Sequence, residues 1–257
     1  MDVGHHVEVG RHDHPHRSLV PGLLQGDLGT SLFAHRPVAT VIAEQLPSTI
    51  GLALAAMLIA AILGATLGIV AAVKAGTWID SAATALAVTG VSVPIFWSGL
   101  LLIWLFSLRL GWLPATGQGG IDHLILPALV LGLASSGSIA RLVRASLLEV
   151  LGQDFIRTAR AKGLREGMVL TRHALKNALI PVVTIAGLQF GFLLGGTVVT
   201  ETVFSRQGIG RLLVNSILWK DLPVVQGVVL LAGLVYTMVN VAVDVAYGFL
   251  DPRIRYD

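Results

Sequence analysis

The sequence predicts an all-α membrane protein, a polytopic bundle of about five transmembrane helices, and three observations carry that expectation. Of the 257 residues, 54% are hydrophobic and only 13% charged, against roughly 25% charged in an average soluble domain. The mean hydropathy is +0.78. The apolar residues come with 29 Gly and 10 Pro, both commoner in membrane helices than in soluble ones. The absence of cysteine removes a disulfide framework, a thiolate nucleophile and a cysteine zinc site. The net charge of +3 does not point to nucleic acid, because the basic residues gather in one connection between apolar runs, which is the pattern of a positive-inside loop.

A hydrocarbon core about 30 Å thick takes about 20 apolar residues in helical form. Stretches free of Asp, Glu, Lys and Arg occur at 48–73, 81–108, 123–140, 177–200 and 222–243, and each is expected to be one span. Orientation follows from the short connections. The third carries Arg141, Arg144, Arg157, Arg160, Lys162, Arg165, Arg172 and Lys176 against Glu149, Asp154 and Glu166, so it is expected on the cytoplasmic side. Counting outward, 74–80 and the tail 251–257 are cytoplasmic, while 109–122 and 201–221 are external. Residues 1–47 then lie outside, yet they hold no apolar run long enough to start translocation. Either the span at 48–73 inserts with its N-terminus out, or an earlier helix precedes it.

Within the basic connection, the residues before Gly163 are good helix formers. Gly163 is placed to end that helix as its left-handed C′ residue, and a second helical stretch starts near Glu166. A helix, a turn and a helix outside the bilayer, with one basic and partly apolar face, suits docking of a cytoplasmic protein, contact with anionic headgroups or plain topology control. Composition alone leaves the three open.

The wording of the loop is more specific. Asp154-Phe-Ile-Arg-Thr-Ala-Arg-Ala-Lys-Gly-Leu164, followed by His173-Ala-Leu-Lys-Asn-Ala-Leu-Ile-Pro181, closely resembles the cytoplasmic loop of bacterial ABC importer permeases of the dipeptide, oligopeptide and nickel branch. The resemblance runs through nearly all of residues 26–257. Gly26-Asp-Leu-Gly-Thr-Ser31, Arg36-Pro-Val38 and Leu46-Pro47 are similar to that family's external lead-in. Ser92-Val-Pro-Ile-Phe-Trp97 and Leu110-Gly-Trp-Leu-Pro-Ala-Thr-Gly117 resemble its third helix and the loop after it. Glu201-Thr-Val-Phe204, Gly208-Ile-Gly-Arg211, Asp221 and Asp251-Pro-Arg-Ile-Arg255 resemble its last third. The broader family has Glu where this chain has Arg157 and tends to Pro where it has Lys176, departures that fit the peptide branch.

The resemblance implies the type I importer permease fold, usually with about six spans, and alternating access driven from outside this chain. It implies a second permease subunit, two cytoplasmic ATPase subunits that hold the ATP and Mg, and an extracytoplasmic solute-binding protein received at 110–117 and 201–211. No cofactor is expected in this chain. It places a coupling role on Asp154, Arg157, Thr158, Ala159, Arg160, Lys162, Gly163, Leu164 and His173, within a cytoplasmic segment at about 141–176. A bacterial cytoplasmic membrane location with an internal C-terminus follows, for peptides or similar small solutes. Ser92, Pro94, Trp97, Gln189 and Asn240 are polar or aromatic enough to contact a passing solute.

Rival classes find less support. The chain has no Gly-Lys pair, hence no Walker A loop, so ATP hydrolysis is expected elsewhere. A serine protease in the bilayer needs Ser facing His, but His123 and His173 sit at opposite membrane ends. No His-Glu-x-x-His occurs. An ion-coupled carrier places ionisable groups near the midplane, and these spans lack them; Asp244 and Asn240 near the inner end of the last span read better as structural pairing. His5, His6, His12, His14 and His16 make residues 1–25 a histidine-rich segment unlike the family, and no metal site is expected there. A truncated, inactive permease remnant stays as the alternative. Gly64, Gly68, Gly191, Gly195 and Gly196 are expected to let helices approach closely.

Overall fold

The computed structural model describes residues 27–250; the histidine-rich segment and the 251–257 tail lie outside the described residues. The chain is helical from Val38 onward, preceded by a turn closed by an isolated antiparallel bridge between Thr30 and Pro37. Helix α1 (Val38–Val73) starts ten residues before the expected span and keeps Pro47 inside it. Helix α4 (Asp122–Leu151), with Pro127 near its start, runs well past the expected limit at 140. Its continuation is amphipathic: Val143, Leu147 and Val150 are buried at helical spacing. Arg141 and Arg144 therefore stand on a helix and not in a loop. The first charge ends an apolar stretch, but nothing in a charge ends a helix.

The second expected span is corrected. Residues 81–108 form two elements, α2 (Trp78–Ser92) and α3 (Ile95–Leu102), the latter continued by a π-helical turn (Ile103–Arg109). The two halves are bent by 101°. Pro94 is the cause, because its ring disfavours the α region for the residue before it, and Val93 is extended at φ −80°, ψ 128°.

After α4 come a short helix α5 (Asp154–Ala161), a single turn α6 (Glu166–Met168), a π-helical turn (Val169–Ala174) and the long α7 (Leu175–Val203). Helices α8 (Ile209–Leu218) and α9 (Leu222–Leu250) complete the described chain. By length and composition α1, α4 and α9 can each cross a bilayer, and the bent α2–α3 pair is either a broken span or a re-entrant loop. Helix α7, 29 residues long, coincides with the remaining expected one.

The bundle centres on α4, where small residues replace bulk with backbone contact. A Cβ added at Gly64 or Gly68 of α1 would come within 2.7 Å of Ser136 O or 2.6 Å of Ala140 O, and one at Gly137 within 2.0 Å of Ala87 O on α2. Without a hydrophobic force between helices in lipid, such close packing is what holds spans together. Gly191 does the same between α7 and Tyr236 of α9, but Gly195 faces open space. Asp80 accepts two hydrogen bonds from the Arg144 guanidinium, both 2.7 Å, which ties the start of α2 to α4.

Candidate functional site

Helix α5 is eight residues long and two-faced. Ile156 and Ala159, three apart and so on one face, are buried among Ala72 at the end of α1, Leu147 and Val150 at the end of α4, Val169 and Ala174 of the π-helical turn, and Ala178 at the start of α7. The notch between three long helices thus holds one side of α5, and burying Ile156 contributes about 1.5–3 kcal/mol. The other side, with Asp154, Phe155, Arg157, Thr158, Arg160 and Lys162, is exposed.

The end of α5 has the form expected from Gly163. The Gly163 N–H donates to Arg160 O at 2.9 Å and the Leu164 N–H to Ala159 O at 3.4 Å, the paired bonds of a Schellman motif. Gly163 sits at φ +77° with no atom within 4 Å of where a Cβ would be. Leu164 packs onto the same cluster as Ala159. Across the turn, Arg160 Nε donates to Glu166 Oε1 at 2.8 Å and Nη2 to Oε2 at 3.2 Å. The Arg160 guanidinium beside Glu166 holds that carboxyl below its ordinary value. Above α5, Ser146 Oγ donates to Ala178 O at 2.8 Å and joins α4 to α7.

The predicted coupling residues are therefore together, with a division among them. Arg157, Thr158 and Lys162 are outward; Ala159 and Leu164 face the notch; Arg160 and Gly163 shape the turn. Asp154 pairs with Arg157 at 3.4 Å on the surface. His173 is apart from them, half-buried in the π-helical turn, its carbonyl accepting Asn177 Nδ2 at 2.8 Å.

The pathway candidates do not form one group. Ser92 and Pro94 are exposed at the α2–α3 break, where Ser92 Oγ donates back to Val88 O at 2.9 Å, and Trp97 is exposed on α3. Gly187 and Gly191 meet Val243 and Tyr236 of α9, so Gln189, about 200° around α7 from each, stands on the other face. Asn240 lies in the α7–α9 seam with its Oδ1 buried and without a partner. The Asp244 side chain lies outside the described residues.

A buried polar junction at the opposite end of the bundle escaped the sequence reading. Glu201, fully buried, accepts from Thr49 Oγ1 at 2.7 Å and from the Arg211 N–H at 3.1 Å, while Thr49 Oγ1 accepts from the Ile209 N–H at 2.8 Å. These bonds pin the first third of α1 to the end of α7 and the start of α8. Gly208 is required there, since a Cβ would come within 2.2 Å of the Glu201 carboxyl. Arg206 is buried beside Glu201, with Nε and Nη1 unpartnered. The segment 201–211, expected to present itself to a binding protein, thus turns Glu201, Phe204, Arg206, Gly208 and Gly210 inward. Of its charges, Glu201 joins segments far apart in sequence, while the Arg211 guanidinium bonds locally to Ser205 O.

A bundle of close-packed apolar helices long enough to cross a bilayer, with a short helix seated across three of their ends, defines a polytopic membrane protein. Residues 64–256 match the family model of binding-protein-dependent transport system inner membrane components, and the chain belongs to that family. It is 46% identical over 256 residues to the glutathione transport system permease protein GsiC of Salmonella paratyphi A, covering 100% of this chain and 81% of that protein. The Escherichia coli K12 protein of the same name is 48% identical over 237 residues, 92% and 78% of the two chains. That of Pectobacterium atrosepticum is 49% identical over 244 residues, 94% and 80%. Among solved structures, a chain of the MetNI methionine ABC transporter superposes with a TM-score of 0.72 at 18% identity, covering 82% of this chain and 96% of that one. A chain of an amino acid ABC transporter gives 0.60 at 15%, covering 84% and 95%. The protein is a permease subunit of an ABC importer and an inner-membrane protein.

Proposed function

We propose that this permease passes peptide-like solutes, and that α5 is the element through which a cytoplasmic ATPase drives it. The observation that carries the coupling role is the seat of α5: one face is locked into the ends of α1, α4 and α7 and the other is free for a partner. A push on a rigid, packed helix moves the long helices it touches, whereas a push on a loose loop is absorbed by it. ATP and Mg would be held by the ATPase subunits, two per importer, with hydrolysis there and not in this chain. The basic connection around α5 supports placing it, and the C-terminus, on the cytoplasmic side. Solute would arrive on a binding protein at the opposite end, and a second permease would complete the pathway. Relatives named for glutathione, a tripeptide, support the solute class.

Transport would proceed by alternating access. Closure of the ATPases displaces α5, the ends of α1, α4 and α7 move with it, and the pathway opens on the other side. The test is uptake of a labelled small peptide by cells carrying the whole importer. Arg160→Glu places a second carboxylate against Glu166 and tilts the turn, so uptake is expected to vanish while membrane insertion persists. Uptake at the wild-type rate in that variant overturns the coupling role.

A further inference from the structure

The buried junction around Glu201 holds two opposite charges on one turn that do not pair. Arg206 is 7% exposed and Glu201 fully buried, and the Arg206 N–H donates to Glu201 O at 2.9 Å. Yet no ion pair joins their side chains among the described residues. The Glu201 carboxylate is engaged elsewhere, Oε1 by Thr49 Oγ1 and Oε2 by the Arg211 N–H. Arg206 is left with its Nε and Nη1 buried and without an acceptor. Roughly nine in ten buried polar groups are paired, and a charged donor that is not carries a full desolvation penalty.

The junction has a parting line. On the α7–α8 side its bonds lie within one continuous segment, and Gly210 is pressed so close that a Cβ would come within 2.5 Å of Val198 Cα. On the α1 side the polar hold is two hydroxyls. Thr49 Oγ1 donates to Glu201 and accepts the Ile209 N–H at 2.8 Å, while Ser48 Oγ donates to Gln207 O. The remaining contact of α1 with α8 is apolar, Val38 and Ile42 against Ile209 and Leu212, a surface on which helices slide without stranding a polar group. Withdrawal of α1 leaves one Glu201 oxygen without its donor, and Arg206, on the same turn, has donors to spare. A carboxylate with one donor on a neighbouring helix and another on its own turn has two discrete arrangements, which is what transmission between distant sites requires.

Helices α1 and α7 also meet at the far end of the bundle, where Ala72 and Ala178 share the seat of α5. A displacement of α5 that moves α1 against α7 reaches the junction along the two helices. We propose that the junction is a latch of alternating access: with α1 seated, Glu201 is held by Thr49, and when α1 shifts, Glu201 exchanges Thr49 for Arg206. The inference rests on the reading that the ATPase displaces α5. Arg206 is a positioning residue for the second state and is unsatisfied in the first.

The chain has no native cysteine, so Ser48→Cys with Gln207→Cys places one addressable thiol pair across the parting line. A short bis-thiosulfonate reagent cross-links the pair in the purified complete importer, with and without ATP and vanadate to trap the ATPases. Trapped nucleotide is counted in each sample. A high yield without nucleotide and its loss on trapping are expected. Adding Arg206→Met is expected to keep the yield high on trapping, because the second state has lost its donor, and Arg206→Lys to restore part of the response. A merely structural Arg206 loosens the junction when replaced and lowers the yield in both conditions, which overturns the inference. So does a yield that ignores trapping, or an Arg206→Met importer that responds as the parent does. Maleimide labelling of Thr158→Cys on the exposed face of α5, run in parallel, separates the two levels. Protection by the ATPase together with an unmoved junction leaves the coupling role standing while the latch falls. Free labelling in the assembled importer removes the coupling role itself and the latch with it.

Discussion

Two glycines four residues apart are expected to respond oppositely to the same substitution. Gly163 and Gly167 both have open space where a Cβ would go, so neither alanine variant carries a packing cost. Gly163 sits at φ +77°, where an L-residue costs about 1–2 kcal/mol. Gly167 lies within α6 in helical conformation, where alanine is better than glycine by about 0.5–1 kcal/mol. Gly163→Ala should therefore raise the open population of the α5 turn roughly 5- to 30-fold. Gly167→Ala should lower it roughly 2- to 5-fold by the same conversion. Hydrogen exchange of the amides from Ile156 to Leu164, followed by mass spectrometry on the purified importer, reads both. Gly163→Asn should fall between wild type and Gly163→Ala, because Asn tolerates the left-handed region. Changes of the same sign at the two glycines, or no change at Gly163, would refute the claim that backbone conformation alone sets the turn.

Three further outcomes follow from the packing. Ile156→Ala should cost about 2–5 kcal/mol of local stability and lower uptake far more than ATPase-subunit expression, as measured by transport and by blotting of the same membranes. Gly137→Val forces apart the α2 and α4 backbones, with a cost of at least about 1–3 kcal/mol, and should lower the thermal midpoint in detergent; an unchanged midpoint would deny the close approach at Ala87. Asp221 titrates in the opposite sense to burial: burial pushes its carboxyl up, but hydrogen bonds from Ser31, Leu32 and Phe33 outweigh it and hold the pKa below the ordinary value. Its stabilisation is present above the ordinary carboxylate range of about 4 and is lost as pH falls through the depressed folded value. The thermal midpoint should drop on acidification below about pH 4 more steeply in the wild type than in Asp221→Asn.

Much of the bundle was legible because a bilayer leaves few choices. An apolar stretch in lipid must satisfy its own backbone, so composition alone makes 48–73 and 222–243 helical. The turn at Gly163 was legible because its cause is local, one residue free to adopt positive φ between two good helix formers. The small-residue character of Gly64 and Gly68 was also legible, but that their partners are Ser136 and Ala140 of α4 was not. The break at Pro94 was also written in the chain, in the restriction a proline places on Val93, but a charge-free stretch conceals it.

What only the tertiary structure decided depends on which distant segments meet. Thr49 reaches Glu201 across 152 residues, and Ser31 reaches Asp221 across 190; no local periodicity encodes either pairing. The same holds for the seat of α5, where Ala72 of α1 joins residues of α4 and α7. The sequence by itself determined that there are apolar helices, where the basic loop lies and where its helix turns, because each of those follows from residues adjacent in the chain. Which buried carboxylate holds which turn, and which helices a push on α5 would move, were decided by packing, since desolvated polar groups and close backbones exist only once the helices have come together.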